Sequence, residues 1–211
     1  MPAKGKSKVG RDVPAPRGRW DIYSIPPSFV FGFHGCDQAV GEAVLRGETS
    51  HLLPSENDYD WLGTGIYFWE GSVQRALDWA QEKHRRGALG NPFVIGAVIN
   101  LGRCLDLRDT ASLREVRSSY DALSLATGTN NEPLPRNGGQ GLKLRRLDCA
   151  VINFLHARRE FERLDAYNTV RADFWEGGEL YPGAGFREQD HVQICVRNTS
   201  SIAAYFRPME S

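Results

Sequence analysis

Three short apolar runs each carry one polar side chain. The first is Phe29-Val30-Phe31-Gly32-Phe33-His34-Gly35, which ends on an imidazole. The second, Gly63-Thr64-Gly65-Ile66-Tyr67-Phe68-Trp69, brings a phenol just after two glycines that permit positive φ or close backbone approach. The third, His191-Val192-Gln193-Ile194-Cys195-Val196-Arg197, places an amide between strand-forming residues. Three strands that each offer one hydrogen-bonding group can frame a cleft for a small molecule. Taken singly, a histidine after an apolar strand or a tyrosine within one is ordinarily structural. Their order and their glycine partners set this group apart. Signatures of other chemistries are missing: Gly-x-x-x-x-Gly-Lys, Gly-x-Ser-x-Gly and His-Glu-x-x-His do not occur. Gly63-x-Gly65 lacks a third glycine and precedes a strand, so it is no dinucleotide fingerprint.

The pattern predicts the elements that must hold these groups. Strands are expected near 29–33, 66–69, 93–101, 104–107, 167–173, 191–197 and 202–207. Helices are expected over 37–46, capped by Asp37 and ended by Gly47, and over 72–84, 110–126 and 146–163. In the third helix Leu113, Val116, Tyr120 and Leu123 should face inward; in the fourth, Leu147, Ala150, Val151, Phe154, Leu155 and Phe161. Residues 127–142 read as a long irregular loop. Strands and helices without regular alternation indicate an α+β fold.

The chain has 211 residues, 41% hydrophobic and 25% charged, and a formal net charge of zero, which suits one globular domain. Residues 1–19 hold six cations against Asp12 and read as a flexible basic arm, with 20–211 as the folded domain. The four cysteines, at 36, 104, 149 and 195, form no Cys-x-x-Cys pair and lie in or beside apolar runs. They read as buried thiols in a reducing compartment. With no long apolar span and no apolar signal core, a cytoplasmic protein without a membrane partner is expected.

Phe33-His34-Gly35 and Gly65-Ile66-Tyr67-Phe68, with Gln193 on a third strand, resemble the motifs of the ADP-ribosyltransferase superfamily, in the His-Tyr-Glu branch of poly(ADP-ribose) polymerases and diphtheria-toxin-like enzymes. The resemblance spans residues 31–207 and is sharp at these three motifs. It departs at Cys36, where Thr or Ser is common, and at Gln193, where the family has Glu. The resemblance implies a split β-sheet ADP-ribosyltransferase-like fold with flanking helices, and NAD as substrate, with no metal. It implies that His34 bonds a ribose hydroxyl, that the Gly35 backbone pairs with the nicotinamide amide, that Tyr67 stacks on the nicotinamide ring and that Gln193 holds the reacting ribose. Trp79 is a candidate second aromatic wall. His191 and Arg187 are candidates for the acceptor side. An amide cannot act as a base, so transfer of a single ADP-ribose unit is expected rather than polymer synthesis. An NAD glycohydrolase and a non-catalytic module that binds NAD or a partner stay open as alternatives. For the acceptor, the basic arm and the pairs Arg145-Arg146 and Arg158-Arg159 favour RNA or DNA over protein. Small transferases of this kind are often toxins with a neutralising protein partner.

Overall fold

The computed structural model describes residues 29–129, 132–139 and 143–209. The basic arm expected at 1–19 lies outside them. Seven strands and four α-helices alternate irregularly, as expected of an α+β fold. The strands are β1 (Phe29–Asp37), β2 (Ile66–Glu70), β3 (Pro92–Asn100), β4 (Cys104–Asp106), β5 (Thr169–Phe174), β6 (His191–Val196) and β7 (Ile202–Phe206). The helices are α1 (Gln38–Leu45), α2 (Val73–Arg85), α3 (Thr110–Thr129) and α4 (Arg146–Phe161).

Local chemistry sets the helix ends. The Asp37 carboxylate caps α1 by accepting from Ala39 N at 3.0 Å, and Gly47 leaves the helix at φ +73°. Ser72 caps α2 by accepting from Arg75 N at 3.2 Å, while Lys83, His84 and Arg85 fill the last turn, where cations favour the helix dipole.

All strands join one mixed sheet in the order β4-β5-β6-β2-β1-β3-β7, parallel only between β4 and β5. Its middle is the unusual part. β1 pairs with β3 along its whole length, from Phe29↔Asn100 to Asp37↔Pro92. β1 pairs with β2 only at Gly32↔Glu70 and Phe33↔Trp69. Beyond Phe33 the first strand stays with β3, and β2 runs on with β6 through Ile66↔Val196. A narrow junction therefore joins two halves, with a seam that opens at His34.

One face of the sheet buries Phe68, Ile95, Ala97, Ile99, Ile194 and Val196 with Val44 of α1. The other carries Leu105, Val170, Ala172 and Cys195 beneath Ile152 and Leu155 of α4. Trp69 and Val94 pack against Ala76 of α2. Each large apolar side chain so enclosed contributes about 1.5–3 kcal/mol. Cys36, Cys149 and Cys195 are buried thiols and Cys104 is partly exposed.

Two helix faces differ from expectation. In α3 the fully buried position is Ser119, whereas Leu113 is 49% exposed. Phe161, at the end of α4, is 88% exposed, since the packed part of the helix stops at His156 and its last turn runs on past it. The same helix instead buries Cys149, Ile152 and His156. Helix α3 also runs on to Thr129, into the start of the expected loop.

Candidate functional site

His34 stands one residue past the last β1–β2 pair. By strand alternation it belongs to the face of Phe68 and Ile95, its register partner. Its ring centroid lies 5.8 Å from Phe68 and 6.5 Å from Trp79 of α2. The imidazole spans the seam, with Nδ1 2.7 Å from the backbone oxygen of Tyr67. A carbonyl only accepts, so Nδ1 carries the proton and Nε2 keeps its lone pair. Burial pushes the His34 pKa below its ordinary value, and the bond to Tyr67 offsets part of that.

Gly35 faces α2. A Cβ here would stand 2.3 Å from the carbonyl oxygen of Ala76 and 3.2 Å from the Trp79 ring. Close helix packing thus demands the glycine, which adds to the backbone reason inferred from the sequence. The contact draws Trp79 toward His34, and Trp79 remains 37% exposed.

Tyr67 lies on the opposite face, in register with Cys195. Its hydroxyl is committed twice. It accepts from Leu62 N at 2.9 Å and donates to Gly63 O at 2.7 Å. Burial pushes the phenol pKa upward, so it stays protonated. This tyrosine holds the loop before β2, a task unforeseen from the motif. Gly63 and Gly65, at φ +78° and +159°, let that loop press against Asn153 and Cys195.

Gln193 is in register with Trp69 on one side and Ala172 on the other, on the Tyr67 face. Around it runs a belt of rings. Trp79 and Trp69 are 5.9 Å apart, Trp69 and His191 6.3 Å, His191 and Phe174 5.6 Å, Phe174 and Trp61 4.3 Å. His191 shares the Gln193 face, as its offset of two predicts, but its side chain is only 2% exposed. Its Nδ1 donates to Gln189 O at 2.7 Å. Burial pushes its pKa down and keeps the ring neutral. Trp69 Nε1 and His191 Nε2 are buried with no hydrogen-bond partner among the described residues. A donor and an acceptor left unpaired beside Gln193 could both serve a polar ligand.

Arg187 does not join this group; it is exposed in the loop and donates to Gly177 O at 3.4 Å. That loop is anchored by a pair the sequence did not single out, Arg75 of α2 with Glu176 at 3.0 Å. On the other face Arg171, 7% exposed, bonds Glu70 and lies 3.5 Å from Asp106, tying β5 to β2 and β4. All four paired arginines face carboxylates: Arg146 with Asp58 at 3.0 Å, Arg158 with Glu162 at 2.7 Å, Arg159 with Glu115 at 2.6 Å and, more loosely, Arg145 with Asp148 at 3.6 Å. Arg145 lies 4.9 Å over the Trp61 ring. No helix among the described residues is long and apolar enough to cross a membrane.

No family model matches the chain, and no solved structure matches it. An uncharacterized protein of the archaeon Methanocaldococcus jannaschii is 28% identical over 190 residues, covering 81% of this chain and 83% of its own.

Proposed function

We propose that the protein is an NAD-dependent mono-ADP-ribosyltransferase, which cleaves the bond between nicotinamide and ribose and passes ADP-ribose to a macromolecule. The observation that supports this reading is the seam between β1 and β2, with His34 at its mouth and Trp79 and the Gln193–Trp69 pair on the flanking elements. In this reading His34 Nε2 accepts from a ribose hydroxyl, its orientation held by the Tyr67 carbonyl. The exposed face of Trp79, rather than the committed Tyr67, walls the nicotinamide. Gln193 fixes the hydroxyl of the reacting ribose through its amide. The leaving group departs neutral from a cationic ring, so orientation and modest electrostatic help suffice. An amide supplies less charge at the developing oxocarbenium than a carboxylate would, which fits one transfer per acceptor.

RNA or DNA is favoured as acceptor over protein. Because Arg146, Arg158 and Arg159 are engaged by close carboxylates and Arg145 by Asp148 at 3.6 Å, that preference leans on the loosely held Arg145 and, more, on the aromatic side chains near Gln193.

The test is turnover of labelled NAD with and without RNA, DNA and protein acceptors, beside calorimetric binding of NAD. Transfer of label to a macromolecule is the expected result. Release of nicotinamide without transfer would make the protein a glycohydrolase. Binding without turnover would make it a binding module. Absence of NAD binding would end the reading.

A further inference from the structure

A cavity of about 800 Å³ lies beside the aromatic belt, between α3, α4 and β5. Its size falls within the range of roughly 300–1,000 Å³ typical of small-molecule sites. Nothing in the catalytic reading above uses it. It also accounts for the half-exposed Leu113: the apolar side of α3 looks into this space instead of onto a packed core.

We propose that this cavity is the acceptor compartment of the transferase and takes one nucleotide unit of a single-stranded nucleic acid, base inside and phosphate at the rim; the proposal rests on the transferase reading. Three observations carry it. First, the walls are planar. Trp61 and Phe174 meet edge to face at 4.3 Å, and Trp61 is fixed by donating from Nε1 to Lys143 O at 3.2 Å. Fixed rings suit a stacked base. Second, one cation is held loosely enough to meet a phosphate. Arg108 and Arg117 line the space but are paired with Asp106 at 2.7 Å and Asp121 at 3.1 Å, and Asp148 and Asp173 also line it, which leaves the role to Arg145. Arg145 lies 4.9 Å over the Trp61 ring, its nearest carboxylate is Asp148 at 3.6 Å, and its buried Nε has no partner among the described residues. Third, the location fits. Phe174 lines the cavity and stacks on His191 at 5.6 Å and 28°, and Ala172, also in the lining, is the register partner of Gln193. A ligand here sits one strand from the residue proposed to hold the reacting ribose.

The step itself balances simply. A nucleophilic oxygen or nitrogen of the nucleotide forms a bond to the ribose carbon, the bond from that carbon to nicotinamide breaks, nicotinamide leaves with the electron pair, and the proton of the nucleophile passes to solvent.

The experiment needs no NAD. The four nucleoside 5′-monophosphates and a short single-stranded oligonucleotide are titrated against the full chain while tryptophan fluorescence is followed. Saturable quenching is expected, and Trp61→Phe should lose most of it. Arg145→Ala should weaken binding about tenfold, the scale of one lost stacking contact, while calorimetric NAD affinity stays unchanged. Arg145→Lys, which keeps charge but not the planar stack, should fall between and guards against misfolding of the alanine variant. Failure of every nucleotide to bind, or full binding by Arg145→Ala, overturns the proposal. Displacement of a bound mononucleotide by NAD also overturns it and gives the cavity to NAD. Binding of an aromatic peptide in place of nucleotides moves the acceptor to protein. If nucleotides bind here and NAD does not bind at all, the nucleotide site stands and the transferase reading falls.

Discussion

The Nδ1–H of His34 donates to the carbonyl oxygen of Tyr67 across 2.7 Å, at the point where β1 and β2 separate. One side-chain bond thus replaces the strand pairing that would otherwise continue. It fixes the tautomer of the histidine and spans the seam at its narrowest place.

Three histidines should make the fold sensitive to mild acid. Burial lowers the pKa of His34 and His191, and pushes that of His156 down to about 3, with the charges of Arg197 and Arg159 adding to it. Each group binds its proton more weakly when folded than when unfolded, near 6.5. Between those values the unfolded chain holds more protons, so stability rises with pH and falls as pH drops below about 6.5. The slope approaches about 1.4 kcal/mol per pH unit for each group that stays neutral in the fold. Urea unfolding at pH 7, 6, 5 and 4 should show the loss, and His156→Leu should flatten the curve. A pH-independent midpoint would show that these rings take up protons freely in the fold.

Tyr67→Phe should destabilise the protein by about 1–3 kcal/mol, because Leu62 N and Gly63 O lose their shared partner in a half-buried place. The ring remains, so NAD affinity should change less than stability does. Denaturant unfolding and calorimetry on the same sample separate the two effects. A larger loss of affinity than of stability would return the phenol to the ligand.

At Gly35 the expectation is the reverse. A methyl group would meet the Ala76 carbonyl oxygen at 2.3 Å, and helix backbone cannot turn aside as a flexible side chain does. Gly35→Ala should therefore cost about 1–3 kcal/mol and lift α2, carrying Trp79 away from His34. NAD binding should weaken together with stability. A variant of unchanged stability would show that the strand yields instead.

Gln193→Ala should lower NAD turnover roughly a hundredfold or more, as loss of one transition-state contact commonly does. Gln193→Glu should retain or raise cleavage, since it restores a charge at the same reach. Radiolabelled nicotinamide release measures both. Unchanged turnover in Gln193→Ala would show that another group holds the ribose.

The sequence was a good guide wherever the cause is local. Asp37 and Ser72 mark helix starts because a short polar side chain reaches the amide two or three residues on. The short apolar runs locate β1, β2, β3 and β6 for the same kind of reason. What stayed hidden comes from residues far apart in the chain. The two-pair junction depends on which strands β1 and β2 prefer as neighbours. The Arg75–Glu176 anchor, the aromatic belt and the Glu70–Arg171–Asp106 tie each join separate segments, and no spacing announces them. The motif around Tyr67 was visible, but the use of its hydroxyl depends on Gly63 turning at positive φ so that Leu62 and Gly63 both reach the ring. The cavity was missed because Leu113 and Val116 spell a core face; only the tertiary arrangement leaves that face unfilled.

Strands β6 and β7 are dealt to opposite halves of the sheet, β6 beside β2 and β7 beside β3. During synthesis neither half can close its hydrogen-bond ladder until residues 191–206 have emerged. Such long-range closure slows folding and leaves β2 and β3 with bare edges in the meantime. A nascent chain would reach Tyr67 well before Cys195, its ladder partner, exists. The seam that positions His34 therefore matures only after β6 and β7, residues 191–206, have been made.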